Sequence, residues 1–356
     1  MTSIRKDSKV SKTTTRVGRR SGGGVTLTDV ARQAGVSVMT ASRALNQPHL
    51  VSDDTRQQVL EAVANSGYVP NLHAAGLRSK RTRMIALMVP SIASGSAFLL
   101  AVHAMTEILV EAGYQVMLSE RGYDRSRDDM VLDSVIARRP DGIVLTGLME
   151  SPRARQRLTA SGIPVVETWE MTDTPIDMLV GFSHYDVGVA IARYFHEQGR
   201  RRVASIAATE ARTAARFHGF ADEALRLGIA GRHLQEGSSF VIEPPSQLGH
   251  GRSGLVCALE GDPDVDAIFS ATDMVALGTL MEAQMRGLRV PEDLAVVGFG
   301  DFDFACNVTP ALTTVRVDHE DIGRRTASML INRIEGIAPD NPIQDVGFKL
   351  VQRESG

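Results

Sequence analysis

The chain has 356 residues, 43% hydrophobic and 23% charged, which excludes a fibrous or wholly disordered protein and leaves room for two or three domains. Two cysteines, Cys257 and Cys306, exclude a disulfide framework and form no CxxC zinc spacing, and no apolar run approaches the roughly 18 residues of a membrane span. The net charge of −3 is unevenly placed: residues 1–83 hold 14 Lys and Arg against 5 Asp and Glu, and the remainder holds 25 against 37. A basic head on an acidic body points the head towards a polyanion, or serves solubility alone. The basic N-terminus leads into no apolar signal core, so a reducing cytoplasm is the expected compartment.

Residues 1–24 are a Ser-, Thr-, Gly-, Lys- and Arg-rich tail without apolar periodicity, expected to be disordered. It either adds phosphate contacts or stays inert. Residues 25–69 read as three short helices. Thr26 and Asp29 stand at capping-box spacing, and Leu27, Val30, Ala31 and Ala34 make an apolar stripe. Gly35 stops the first helix and Ser37 caps the second. The third starts at Ser52, with Val59, Leu60 and Val63 as its inner face, and ends at Gly67. A tight helix–Gly–helix pair with a supporting helix is a helix-turn-helix arrangement. The second helix exposes Val38, Met39, Thr40, Ser42 and Arg43, a surface suited to a DNA major groove rather than to water. Residues 70–83 form a basic linker, in which Ala74, Ala75 and Leu77 make a helix too short to stand alone.

From residue 84 to 350, apolar strand-like runs alternate with amphipathic helices. The strands are expected at 84–89, 115–119, 142–146, 164–167, 178–182, 203–207, 267–270 and 295–298. Helical patterns end at Gly113, Gly162, Gly199 and Gly287, each shortly before a strand. Continuous Val/Ile/Leu strands imply parallel sheets covered on both faces, and the length favours two lobes around a cleft. There is no GxxxxGK[ST] loop, GxSxG elbow, HExxH motif or metal-ligand cluster, so no enzyme, cofactor or metal is expected.

The run VTLTDVARQAGVSVMTASRALN at 25–46, continued by VSDDTRQQVLEAVANSGYVPN, closely resembles the DNA-binding headpiece of the LacI/GalR family of bacterial repressors. The resemblance continues through GFSH at 181–184, RFHGF at 216–220, ATDMVALG at 271–278 and TPALTTV at 309–315. GYQVMLSERGYD, PIDMLVGFSH and DVGFKL look most like the gluconate-utilisation repressors. It implies an α/β fold: a periplasmic-binding-protein-like core of two doubly wound parallel-sheet lobes, with a small all-α N-terminal helix-turn-helix domain. The implied divisions are a tail at 1–24, a headpiece at 25–69, a hinge at 70–83 and a core at 84–350. Within the core, the N-lobe takes 84–183 and 311–340 and the C-lobe 184–310 and 341–350, with crossings near 182–186, 308–312 and 340. The implied protein is a cytoplasmic, nucleoid-associated homodimer that binds a pseudo-palindromic operator. It releases that operator to a small-molecule effector, gluconate or a related sugar acid such as a ketogluconate or hexuronate. The short segment after DVGFKLVQ is expected to leave no room for a tetramerising helix.

The resemblance also assigns roles. Val38, Met39 and Arg43 match base-reading positions, and Tyr68 one that packs near phosphate. Leu77 matches a leucine wedged into the minor groove, with an ordinary core leucine as the other reading. Arg78 reads the groove floor or a phosphate, or is a solvated charge. Thr26, Ser37, Thr40, Ser42 and Asn71 complete the DNA-facing set. In the cleft, Arg216 matches the effector-holding arginine, and Arg212 lies four residues before it. Asp273 is either a ligand-lining acid or a helix cap. Trp169 and Glu170 follow a strand end, and Phe98 is a ligand wall or a core residue. Where many sugar-binding members have Asp after Gly-Tyr, this chain has Gly300, with Asp301 one step later. A missing cleft carboxylate suits an anionic ligand.

Overall fold

The computed structural model describes residues 25–69, 81–92, 97–122, 128–209, 211–237, 240–242 and 246–356; of residues 97, 98, 211 and 212 it describes the backbone only. The tail, Asn71, Leu77 and Arg78 therefore lie outside the described residues. The chain divides into two compact units, one within residues 1–75 and one within 76–356. Among the described residues no helix is long and apolar enough to cross a membrane.

The first unit is a three-helix headpiece: α1 (Leu27–Gln33), α2 (Val38–Asn46) and α3 (Asp53–Ser66). Its helices start where side-chain oxygens satisfy the free N–H groups of a first turn. The Thr26 hydroxyl accepts from Asp29 N while the Asp29 carboxylate accepts from Thr26 N, and Ser37 and Ser52 accept from Thr40 N and Thr55 N. Hydrogen bonds from Thr26 hold the Asp29 carboxyl below its ordinary range. Val30, Ala31, Ala41, Ala44, Val59 and Ala62 form the buried centre, with Tyr68 half-buried against it. Leu60, expected on the inner face of α3, is 40% exposed, and Ala62 is buried instead. Positions 59, 62 and 63 share a face at i, i+3, i+4, and position 60 does not.

The core holds two six-stranded sheets. The first is ordered β11–β5–β4–β3–β1–β2, from β1 (Met84–Val89), β2 (Gln115–Glu120), β3 (Gly142–Thr146), β4 (Val165–Thr168), β5 (Met178–Gly181) and β11 (Ile343–Asp345). The second is ordered β12–β10–β9–β8–β6–β7, from β6 (Val203–Ala208), β7 (Phe240–Ile242), β8 (Ala267–Ser270), β9 (Ala295–Phe299), β10 (Thr313–Arg316) and β12 (Lys349–Val351). Both are doubly wound with a 2-1-3-4-5 order, whose ligand crevice lies outside the carboxyl ends of the strands. The central strands β1, β3 and β6 are apolar and buried almost throughout, as expected when helices cover both faces. One strand departs from the all-parallel expectation: β12 runs antiparallel to β10.

Among the described residues, eight core helices complete the layers: α4 (Ala97–Glu111), α5 (Asp128–Ala137), α6 (Pro152–Ser161), α7 (His184–Glu197), α8 (Ala211–Leu227), α10 (Leu248–Gly261), α11 (Asp273–Met285) and α12 (His319–Ile334), with a single turn α9 (Arg232–Gln235) between α8 and α10. Gly113, Gly162, Gly199 and Gly287 all have positive φ where the chain leaves a helix for a strand, a conformation a side chain disfavours.

Two of the three crossings between lobes differ from the sequence expectation. The first lies between β5 and α7, at residues 182–183. The second lies between β10 and α12, near 317–318, because β10 pairs with β9 in the second sheet. Residues 311–316 therefore belong with the C-lobe and not the N-lobe. The third lies between β11 and β12, because β11 pairs with β5 and takes residues 343–345 into the first sheet. β10 (TTVR) and β11 (IQD) are short and largely polar in sequence, so no apolar run marks them.

Where the core begins, Asp141 receives Thr82 N, Thr82 Oγ1 and Arg83 N at 2.7–2.9 Å. The Arg83 guanidinium lies 5.2 Å over the Tyr114 ring, and Arg81 donates to Ile334 O. Arg81 and Arg83, two cations of the basic N-terminal stretch, thus belong to the core unit.

Candidate functional site

On α2, Val38 is 43% and Met39 62% exposed, and Arg43 is exposed one turn after Met39. Ala41 and Ala44 face the core, so the helix turns apolar and cationic groups outward together. Thr40 is held at its first turn by Ser37 (Oγ to Oγ1, 2.8 Å), and Asn46 donates to Ser42 O at 2.8 Å. Ser37, Thr40 and Ser42 thus shape the helix, while Val38, Met39 and Arg43 form its outward edge. A helix with this edge, stiffly mounted on two others, fits a major groove.

In the core, a cluster of rings and cations stands at the carboxyl ends of the strands. Trp169 directly follows β4 with φ +73°, a left-handed backbone that costs a bulky residue about 1–3 kcal/mol. Gly181 makes this path possible: a Cβ there would lie 2.1 Å from Glu170 O. The Trp169 ring is 5.0 Å from the His319 ring and 6.3 Å from Phe182. Trp169 O meets His184 Nε2 at 2.7 Å, and His184 Nδ1 meets Arg216 Nη1 at 2.8 Å. Arg216, 4% exposed, also donates from Nη2 to Thr213 Oγ1 and Ala271 O, and its guanidinium lies 4.0 Å over the Phe299 ring. Burial pushes the His319 imidazole below its ordinary range, leaving a neutral ring that lies 3.4 Å from Gly300 O.

A small pocket, with room of about 10 Å³, opens beside Trp169, walled by β1, β3, α4 and α12 through Leu87, Val144, Met105 and Ile322. Apart from Thr146, Thr168 and Thr326 its wall is apolar, so it supplies shape and no charge.

The acids expected in the cleft are placed otherwise. Asp273 is fully buried as the first residue of α11, and the cap is Thr272. Its carboxylate accepts from Thr314 Oγ1 (2.5 Å) and Phe302 N (2.8 Å), which makes it a brace between three segments. Burial raises its carboxyl to about 6, with the nearby Asp301 charge adding to the rise. Asp301, φ +51°, is bound by Arg316 and, at 2.6 Å, by Arg353. It too is a brace rather than the ligand-facing acid expected, because both oxygens serve arginines. Glu170 is half-buried beside Arg121, whose guanidinium donates to Thr146 O at 3.0 Å. Arg212 and Phe98 lie on α8 and α4, and their side chains are outside the described residues. His184, Phe299, His319 and Arg121 were not singled out from sequence. The first two sit inside GFSH and GFG, but nothing local tells that they meet Arg216. Among the described residues, no group of His, Cys, Asp and Glu is placed to hold a metal ion.

Residues 26–71 match the family model of bacterial regulatory proteins of the lacI family, and residues 192–356 match a periplasmic binding protein-like domain. The HTH-type transcriptional regulator GntR of Pseudomonas aeruginosa is 35% identical over 354 residues, covering 99% of both chains. The chain belongs to the LacI family. GntR of Escherichia coli K12 is 30% identical over 325 residues, 91% of this chain and 96% of the other. A LacI-family regulator from Silicibacter pomeroyi superposes with a TM-score of 0.83 at 29% identity, covering 93% of this chain and 99% of that one. The lac repressor dimer bound to operator superposes at 0.81 with 25% identity, covering 94% and 99%. This LacI-family member is thus a DNA-binding transcriptional repressor, with α2 as the second helix of its helix-turn-helix, and it is not an enzyme.

Proposed function

We propose that this repressor silences genes of sugar-acid catabolism and leaves its operator when a sugar acid, gluconate foremost, draws the two lobes together. The observation that carries the reading is Arg216, a buried cation fixed at the carboxyl edge of the second sheet by three hydrogen bonds and an aromatic face. A guanidinium fork held this rigidly suits a carboxylate. The GntR-named relatives at 35% and 30% identity support the same ligand class. In this reading Trp169 and Glu170 on the first lobe belong to the same site, as does Arg212 on α8.

The working form is a cytoplasmic homodimer on a pseudo-palindromic site. Leu99, Leu100 and Val110 on α4, with Met281 and Met285 on α11, are exposed apolar residues on outer helices, as an interface requires. The lac repressor, similar in fold, is described as a dimer on its operator. At the DNA, Val38, Met39 and Arg43 read bases and Leu77 opens a base step in the minor groove, with Arg78 beside it.

The test is a titration of gluconate, ketogluconates and hexuronates against the preformed operator complex, wild type beside Arg216→Ala. Removing one partner of a desolvated charge pair costs about 2–5 kcal/mol, so the variant needs roughly 30-fold more ligand to release DNA. Its ligand-free operator affinity stays unchanged. Release of both proteins at the same gluconate concentration would remove Arg216 from the effector site.

A further inference from the structure

His184 stands where the chain first crosses between the lobes, as the opening residue of α7. Its two ring nitrogens face opposite ways in chemistry. An arginine can only donate, so the Arg216 Nη1 contact at 2.8 Å makes Nδ1 an acceptor. The proton of the neutral ring must then sit on Nε2, where it donates to Trp169 O at 2.7 Å. The ring is fixed in place, 4.4 Å from Phe182 and 6.0 Å from Phe299. One imidazole therefore joins the second lobe's arginine to the first lobe's carbonyl. That carbonyl belongs to a left-handed tryptophan whose own ring lies tilted against His319, beside the second crossing.

We propose that His184 is a positioning residue for the effector: its Nε2–H tautomer aims Arg216 into the cleft and ties the engagement of Arg216 to Trp169. The inference rests on Arg216 holding the sugar acid. Arg216 Nη2 is committed to Thr213 and Ala271 within the second lobe, so Nη1 is the arm that spans to the other lobe. A carboxylate drawn to Nη1 acts on the bond to His184, and through it on the Trp169 carbonyl. A change in lobe separation strains the same two bonds. The ligand at Arg216 and the lobe arrangement then bias one two-state element, the physical content of coupling between sites.

His184→Phe keeps the ring packing and removes both bonds, and His184→Gln keeps one acceptor and one donor. Trp169 is the single tryptophan of the chain, so intrinsic fluorescence reads the far end of the relay. In the full-length protein, His184→Phe is expected to lower gluconate affinity about tenfold or more and to abolish the ligand-induced fluorescence change. His184→Gln recovers most of both, and each variant still binds operator without ligand. A merely structural histidine would not produce this split, nor the recovery. Nitrogen-15 spectra of the ligand-free wild type should show His184 neutral with its proton on Nε2. A proton on Nδ1, or a doubly protonated ring at neutral pH, overturns the proposal without reference to any ligand. So does wild-type gluconate affinity and fluorescence response in His184→Phe while Arg216→Ala loses both, a result that leaves the sugar-acid reading standing. If Arg216→Ala also binds gluconate like wild type, the sugar-acid reading and the relay fall together.

Discussion

Replacing Asp273 by asparagine should make the protein more stable, and more so as pH rises. The carboxyl is fully buried, and its proton affinity is raised from an ordinary 3.8 to about 6. Burial is the main cause and repulsion from Asp301 adds to it, while Thr314 Oγ1 and Phe302 N oppose it. A rise of about two units corresponds to about 3 kcal/mol between the charged and neutral forms. Between about pH 4 and pH 6 the folded carboxyl holds a proton that the unfolded one has lost. Its contribution is therefore fully present below pH 4 and is lost as pH rises through about 6. Asparagine is isosteric: its oxygen can accept from Phe302 N, and its amide can donate to Thr314 Oγ1. Asp273→Asn should thus gain up to about 3 kcal/mol at pH 8, shrinking to about half of that at pH 5. His319, held neutral by burial, works the opposite way, costing stability as pH falls below its ordinary value. It is present in both proteins and cancels in the difference. The assay is urea unfolding of both proteins at pH 5 and pH 8, followed by Trp169 fluorescence. A stability difference that is the same at both pH values would show that Asp273 is not the buried, proton-retaining group its surroundings make it.

Gly188→Ala should destabilise the core by about 2–3 kcal/mol, at the upper end of overpacking costs, lower its urea midpoint and weaken effector binding with it. A Cβ at Gly188 would lie 2.0 Å from Arg216 O, and one at Gly219 2.1 Å from Tyr185 O, so the backbones of α7 and α8 cross where only glycine fits; an unchanged midpoint would contradict this. Operator affinity should fall steeply with salt, with a log–log slope of about −6 to −10, because the basic head displaces counterions from phosphate. A flat dependence would remove the polyanion argument, and an unchanged slope without residues 1–24 would show that the tail makes no phosphate contact.

The sequence is most legible where one segment decides its own structure. The capping box at Thr26 and Asp29 is complete within three residues, and β1, β3 and β8 span the residues their apolar runs mark. It is least legible where a segment is short and half-exposed. β7, β11 and β12 have three residues each with mixed burial, so they form only because a neighbouring strand offers its edge. β10 lies within a recognised motif, TPALTTV, yet its place beside β9 shifts the second crossing from 308–312 to 317–318. Its pairing is with residues 297–299, too far along the chain for any window to see.

The cleft shows the same limit in its charges. Read along the chain, Asp273 and Asp301 are acids near the effector, and the displaced acid after Gly300 suggests that one carboxylate has been removed from a sugar site. In the folded core neither acid is removed, and both are spent. Asp301 is bound by arginines at 316 and 353, and Asp273 turns to Thr314 and Phe302. The partners of both come from the last 55 residues, mostly from β10, from the loop after β9 and from the C-terminal segment. Arg216, by contrast, is secured by His184, Thr213, Ala271 and Phe299, none of which carries a carboxylate. The balance that favours an anion is thus set by which cations the acids have already taken. On the sugar-acid reading, an anionic ligand would be recognised in such a site because folding has directed both acids to other donors before the ligand arrives.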